Sequence, residues 1–207
     1  MKLLNQASKI LFQHQPWTQS CEGCQPIGHV DLPTSYKVAF DFQLTSQYMP
    51  MFPITIGNYW TDDSFTAFPI ATFSSSSLRT RQRSSYNGNG GGDVLIEEKL
   101  NSENQLETER IYSFEYIVSE DKIQHYLDGV LISEFASNND ANDTGSECYF
   151  NEEYTSTIKA QTCSEQTNTG YESLNRSNQP IFIGDDDQKY QRMGEGFVGN
   201  LVIYDLS

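Results

Sequence analysis

The segment Tyr36 to Leu44 limits the choice of fold more than any other. Tyr36, Val38, Phe40, Phe42 and Leu44 fall on one face, and Lys37, Asp41 and Gln43 on the other. A strict period of two is the signature of a half-buried β-strand and is incompatible with an amphipathic helix. Tyr112, Phe114, Tyr116 and Val118 repeat it. Further strands are expected at Pro53 to Asn58, Phe68 to Phe73, Leu78 to Arg83, Val94 to Lys99, Arg110 to Ser119, Lys122 to Leu127, Val130 to Phe135, Pro180 to Gly184 and Phe197 to Asp205.

Asp128-Gly129 lies between two of these runs. A two-residue Asp-Gly loop supplies the positive φ angles of a type I′ hairpin. Asn87 to Gly92, rich in glycine, reads as a connection between strands. Leu3 to Phe12 has enough helical spacing to be read either as a short helix or as a first edge strand. Between Ala136 and Gln179 the apolar pattern vanishes, and the segment is expected to be a long polar loop without regular structure.

The chain has 207 residues, an expected length for one all-β sandwich domain. It divides into an N-terminal segment, residues 1–34, packing on a sandwich of residues 35–207 with an insertion at 136–179. Twelve Tyr and twelve Phe place it outside the disordered class. The formal net charge of −15 repels phosphate backbones and anionic membrane surfaces, so nucleic acid and membrane insertion are not expected partners. Lys2, Asn5, Gln6 and Lys9 interrupt Met1 to Phe12, which is therefore not a signal-peptide core.

Cys21, Cys24, Cys148 and Cys163 are even in number, and no His accompanies either pair at zinc-ligand spacing. Two structural disulfides are expected, Cys21 with Cys24 and Cys148 with Cys163. The second would close a loop of about sixteen residues, worth about 3 kcal/mol in loop-closure entropy. Disulfides tilt the compartment toward the extracellular space or cell surface.

Four motifs in order then resemble a known superfamily. Tyr36 to Leu44 looks like the early inner strand of concanavalin A-like lectin and glucanase domains. His125-Tyr-Leu-Asp-Gly-Val-Leu-Ile132 is similar to their characteristic hairpin. Pro180 to Gly184 and Gly196 to Asp205 resemble the closing strands of laminin-G-like members. The resemblance implies an all-β, two-sheet antiparallel jelly-roll sandwich. In the superfamily the chain runs almost directly into the penultimate strand, whereas here residues 136–179 intervene.

Catalysis is not expected. Glucanases of this fold carry a Glu-x-Asp-x-x-Glu run, because one carboxylate attacks the sugar while another donates a proton. No such run is present, and Glu97 and Glu98 alternate. His125 is the one candidate for proton transfer beside a strand, and its plainer reading is a half-buried strand residue without a partner. A glycan hydrolase or lyase ranks behind the non-catalytic readings.

Ligand contacts are expected from residue chemistry. Sugar recognition uses an aromatic face with amide or carboxylate groups beside it, and Tyr59, Trp60 and Asp62 offer both. Arg79, Arg81 and Arg83 share one strand face and suit a sulfated or uronate glycan, an acidic partner, or cross-strand pairing with Glu. Asp140, Asn142 and Thr144, followed by Gly145, match the first half of a calcium loop, although position twelve is Asn151 with Glu152 adjacent. The expected function is lectin-type binding of a carbohydrate or cell-surface ligand. The alternative is a structural or adhesion subunit that meets a protein partner or a second copy of itself.

Overall fold

The computed structural model describes residues 9–48, 51–57, 68–83, 93–119, 122–136, 149–160, 176–185 and 196–207. Among these the protein is built from strands, with one 3₁₀ turn at Ser102–Asn104. Numbered in chain order, the larger sheet runs β1 (Lys9–His14), β17 (Gly196–Asp205), β5 (Tyr36–Leu44), β10 (Ile111–Val118), β11 (Lys122–Leu127), β12 (Val130–Ala136) and β13 (Tyr149–Phe150). A further strand, β2 (Thr18–Gln19), also pairs with β17. The smaller sheet runs β14 (Thr155–Ala160), β9 (Asp93–Leu100), β8 (Ser77–Arg83), β7 (Phe68–Ser74), β6 (Thr55–Ile56), β15 (Gln179–Phe182) and β4 (Gly28–Val30). All these pairings are antiparallel, and a separate parallel pair joins β3 (Cys21–Glu22) to β16 (Gly184–Asp185).

The alternation in the sequence becomes the inner faces of a jelly roll. Tyr36, Val38, Phe40, Phe42 and Leu44 are all buried, and residues between them are half-exposed. Phe40 stands opposite Phe114, and Val38 opposite Tyr116, across the β5–β10 ladder. Phe73 enters from β7 of the other sheet and meets the rings of Phe42 and Phe114, each at 4.8 Å. Each such side chain contributes roughly 1.5–3 kcal/mol by leaving water, and aromatic pairing adds about 0.5–1.5 kcal/mol. Val38, Phe40, Phe42, Phe114, Tyr116 and Ile203 belong to one core, as their spacing predicts.

The Asp-Gly hairpin forms as its sequence requires. Asp128 has φ 49° and Gly129 φ 77°, the left-handed pair of a type I′ turn, and Leu127 pairs with Val130 across it. The Asp128 side chain also accepts a hydrogen bond from the Ser113 amide at 2.9 Å, tying the turn to β10.

Two expectations change, and one open choice is decided. The strand foreseen at Pro53 to Asn58 contracts to Thr55–Ile56, since Pro53 has no amide to give a ladder. Of the two readings of Leu3 to Phe12, the described part takes the edge-strand form, beginning at Lys9. The segment 136–179 is not without regular structure: it supplies β13 and β14, an edge strand for each sheet. Residues 151–154 carry the chain between the sheets, and the amides of Asn101 and Asn104 donate to the carbonyls of Glu152 and Glu153 there. Edge strands bury only part of their surface, so a polar composition that reads as loop is tolerated in them.

Candidate functional site

His125, the residue singled out for proton transfer, is neither half-buried nor without a partner. It sits on the inner face of β11 and is fully buried. Its Nδ1 lies 2.6 Å from Glu98 Oε1 and its Nε2 lies 3.2 Å from Thr80 Oγ1. Ser133 Oγ donates to the same Glu98 oxygen at 2.6 Å. The rings of Phe114 and Tyr116 flank the imidazole at 5.6 and 5.2 Å. Thr80 and Glu98 come from the smaller sheet, His125 and Ser133 from the larger, so the cluster crosses the sandwich.

Thr80, His125 and Glu98 reproduce the hydroxyl, imidazole and carboxylate order of a nucleophilic triad. Thr80, however, is only 2% exposed and its three partners show no exposure, so no substrate reaches the hydroxyl in this conformation. What the arrangement does is bind the two sheets through a polar contact. Among the described residues Glu98 Oε2 finds no hydrogen-bond partner.

The outer face of the larger sheet carries a different constellation. β1 and β2 both pair with β17, and Gln15, Pro16 and Trp17 arch between them. Opposite this arch β17 breaks register between Gly199 and Val202, with Asn200 at φ 52°. Such a bulge re-aims side chains. His14 Nε2 meets Thr18 Oγ1 at 2.8 Å, and the Asn200 amide donates to Gln15 O at 3.4 Å, which closes the arch onto the bulge.

Trp17 is laid on Gly199. A Cβ at Gly199 would come within 2.7 Å of Trp17 Cδ2 and 2.8 Å of Cε2, so only glycine admits the indole this close. Trp17 remains 43% exposed. Gly199 stands opposite Asp41, which stands opposite Ser113, in one row across three strands. Residues opposite one another in an antiparallel sheet share a face, and neighbouring strands lie about 4.8 Å apart. Asn200 Nδ2 donates to Asp41 Oδ2 at 2.7 Å, and Ser113 Oγ donates to Oδ1 at 2.5 Å. In the next row Gln43 stands between Phe197 and Ile111, and its amide donates to Glu109 O at 2.7 Å.

Among the described residues, three cations of this sheet are paired. Lys37 Nζ is 3.4 Å from Glu115 and 4.8 Å from the centre of the Tyr204 ring. Arg110 reaches Asp128 at 3.4 Å and covers the Tyr112 ring, and Lys122 meets Glu134 at 3.0 Å. Asp41 takes its hydrogen bonds from neutral groups.

Of the residues chosen from sequence, Tyr59, Trp60 and Asp62 lie outside the described residues, as do Asp140, Asn142 and Thr144. Arg79, Arg81 and Arg83 have their backbones in β8, where they stand opposite Glu97, Leu95 and Asp93 of β9. Cys21 and Cys24 form the expected disulfide, with Cα atoms 5.9 Å apart, while Cys148 and Cys163 lie outside the described residues. Trp17 was missed. The sequence offers only an aromatic directly after Pro16 as a signal; its partner glycine lies 182 residues further on, at Gly199.

No family profile and no curated protein matches the sequence. Among solved structures, the chain resembles the NanB sialidase of Streptococcus pneumoniae with a TM-score of 0.55 at 9% identity, over 94% of this chain and 26% of that one. It resembles the CBM40 of a Ruminococcus gnavus sialidase, bound to α2,3-sialyllactose, with a TM-score of 0.50 at 7% identity, over 92% and 91%. It also aligns with domains LG4-5 of the mouse laminin α1 chain, TM-score 0.46 at 11% identity, over 95% and 40%. The chain thus spans most of the CBM40 but two fifths of the laminin chain and about a quarter of the sialidase chain. The fold is that of the concanavalin A-like jelly rolls.

Proposed function

We propose that this protein is a carbohydrate-binding module that takes its ligand on the outer face of the larger sheet, with Trp17 as the stacking surface and Asp41 as the hydroxyl acceptor. The observation that carries the reading is the exposed indole, held flat against Gly199 beside a row of carboxylate, amide and hydroxyl groups. The C–H face of a pyranose packs on an aromatic ring, and its hydroxyls donate to a preset carboxylate. Because Asp41 is already fixed by Asn200 and Ser113, little ordering entropy is lost on binding. The likeness to a CBM40 that binds sialyllactose supports a carbohydrate as the ligand class.

A non-catalytic role fits the same geometry. The triad-like cluster around His125 is closed to solvent. The Cys21–Cys24 disulfide supports an extracellular or cell-surface setting, and no helix of the described residues is long and apolar enough to cross a membrane. A glycan array read with Trp17→Ala and Trp60→Ala tests the site. Saturable binding lost in Trp17→Ala and kept in Trp60→Ala is the expected result. The reverse pattern would move the site to the Tyr59 to Asp62 segment, and silence across the array together with self-association in solution would favour a structural subunit.

A further inference from the structure

We infer that the Trp17 platform selects uncharged glycans and turns away those bearing sialate, sulfate or uronate. This rests on the proposed carbohydrate site and names the class of sugar it takes. Among the described residues, the charge closest in register to the indole is the Asp41 carboxylate, in the row of Gly199. Its partners, Ser113 and Asn200, carry no charge, so among the described residues its negative charge is not cancelled where a ligand would lie.

Recognition of an anionic sugar calls for a guanidinium or ammonium group free to take the carboxylate, preferably through two parallel hydrogen bonds. Among the described residues, Arg110 is engaged with Asp128 and Lys37 with Glu115. Each carries a carboxylate with it, so an arriving anion meets ion pairs of no net charge beside a bare Asp41. The whole chain, at −15, adds a long-range repulsion for anions.

The same carboxylate is well suited to neutral sugars. An ionised carboxyl offers about four acceptor positions, of which Ser113 and Asn200 occupy one on each oxygen. One position per oxygen remains, which matches two adjacent hydroxyls of a pyranose, both donating. Trp17 supplies the packing surface on one side of Asp41, and Gln43 a further amide in the next row.

The test uses the full chain on an array in which each neutral oligosaccharide is printed beside its sialylated and sulfated derivatives. Binding is read at about 0.02 M and about 0.5 M salt, where screening lengths differ several-fold. The neutral members are expected to bind, and their acidic derivatives at least about tenfold more weakly at low salt. The gap should narrow at high salt and in Asp41→Asn, with neutral affinity falling in that variant. Acidic derivatives that bind as well as the neutral ones, with Trp17→Ala abolishing both, would overturn the charge selection and leave the site standing. Binding insensitive to Trp17→Ala, or none at all, would overturn the site itself.

Discussion

Glu98 and His125 approach from opposite sheets to 2.6 Å, and neither has any solvent exposure. A polar contact so placed contributes little net stability, because both groups lose water to make it. It does fix how the sheets meet, since Glu98 and Ser133 bond correctly only when β9 and β12 lie in this one offset.

Removing half of the pair is therefore expected to hurt more than removing both. His125→Phe leaves the Glu98 carboxyl buried without its ring partner and should cost about 3–5 kcal/mol. The double variant His125→Phe with Glu98→Met should recover most of that loss. Urea midpoints measure both, and a single variant that unfolds where the parent does would refute the coupling.

Gly199→Ala should displace Trp17 without unfolding the protein. The added methyl would stand 2.7 Å from Cδ2, and a partly exposed ring on a short arch moves more easily than the β17 backbone. In a Trp60→Phe background, tryptophan emission is expected to shift to the red and glycan binding to fall as far as in Trp17→Ala. Unchanged emission and affinity would show that the indole does not rest on Gly199.

At the hairpin, Gly129→Ala is expected to cost about 1–2 kcal/mol. No atom within 4 Å opposes the new methyl, so the loss comes from the left-handed backbone alone, at φ +77°. Gly129→Asn, which adopts that conformation more readily, should cost less. For a chain of this size each kcal/mol moves the melting temperature by about 2–4 °C, so thermal melts separate the two variants.

Asp31 predicts an acid-sensitive joint between β4 and β15. Its carboxylate accepts from the Asn178 amide at 2.7 Å and from Ser177 Oγ at 3.0 Å, and these bonds, the backbone one foremost, hold its pKa below the ordinary 3.8. A carboxyl with a lowered folded pKa contributes stability above the unfolded value and loses it as pH falls through the folded value. Urea midpoints should drop more steeply below about pH 4 in the parent than in Asp31→Asn. Parallel pH profiles would show that the joint plays no part.

The residues of the sandwich were legible wherever one strand buried one face. Tyr36 to Leu44 shows its core in its alternation, and Asp128-Gly129 its turn. Glu98 was legible in position but not in meaning: it falls in phase with buried Leu100, a placement that implies an inward carboxyl. Ser133 was hidden by a bulge. β12 slips register opposite His125 and Tyr126, so Ile132 and Ser133 both turn inward, where strict alternation sends one of them out. Asp41 and Asn200 are 159 residues apart and meet only once β17 lies beside β5. No local pattern encodes such a meeting, because the ladder that creates it is itself a long-range event.

The pairing of Lys9 with Asp205 sets how the protein answers to force. These residues lie at the same end of the β1–β17 ladder, so tension between them opens that ladder pair by pair, as a zipper, instead of shearing all its hydrogen bonds together. Peeling then proceeds through His14 to the Trp17 arch, while Phe40, Phe42, Phe73 and Phe114 are still clasped between the sheets. Under a pull in this direction the surface platform is lost first and the aromatic core last.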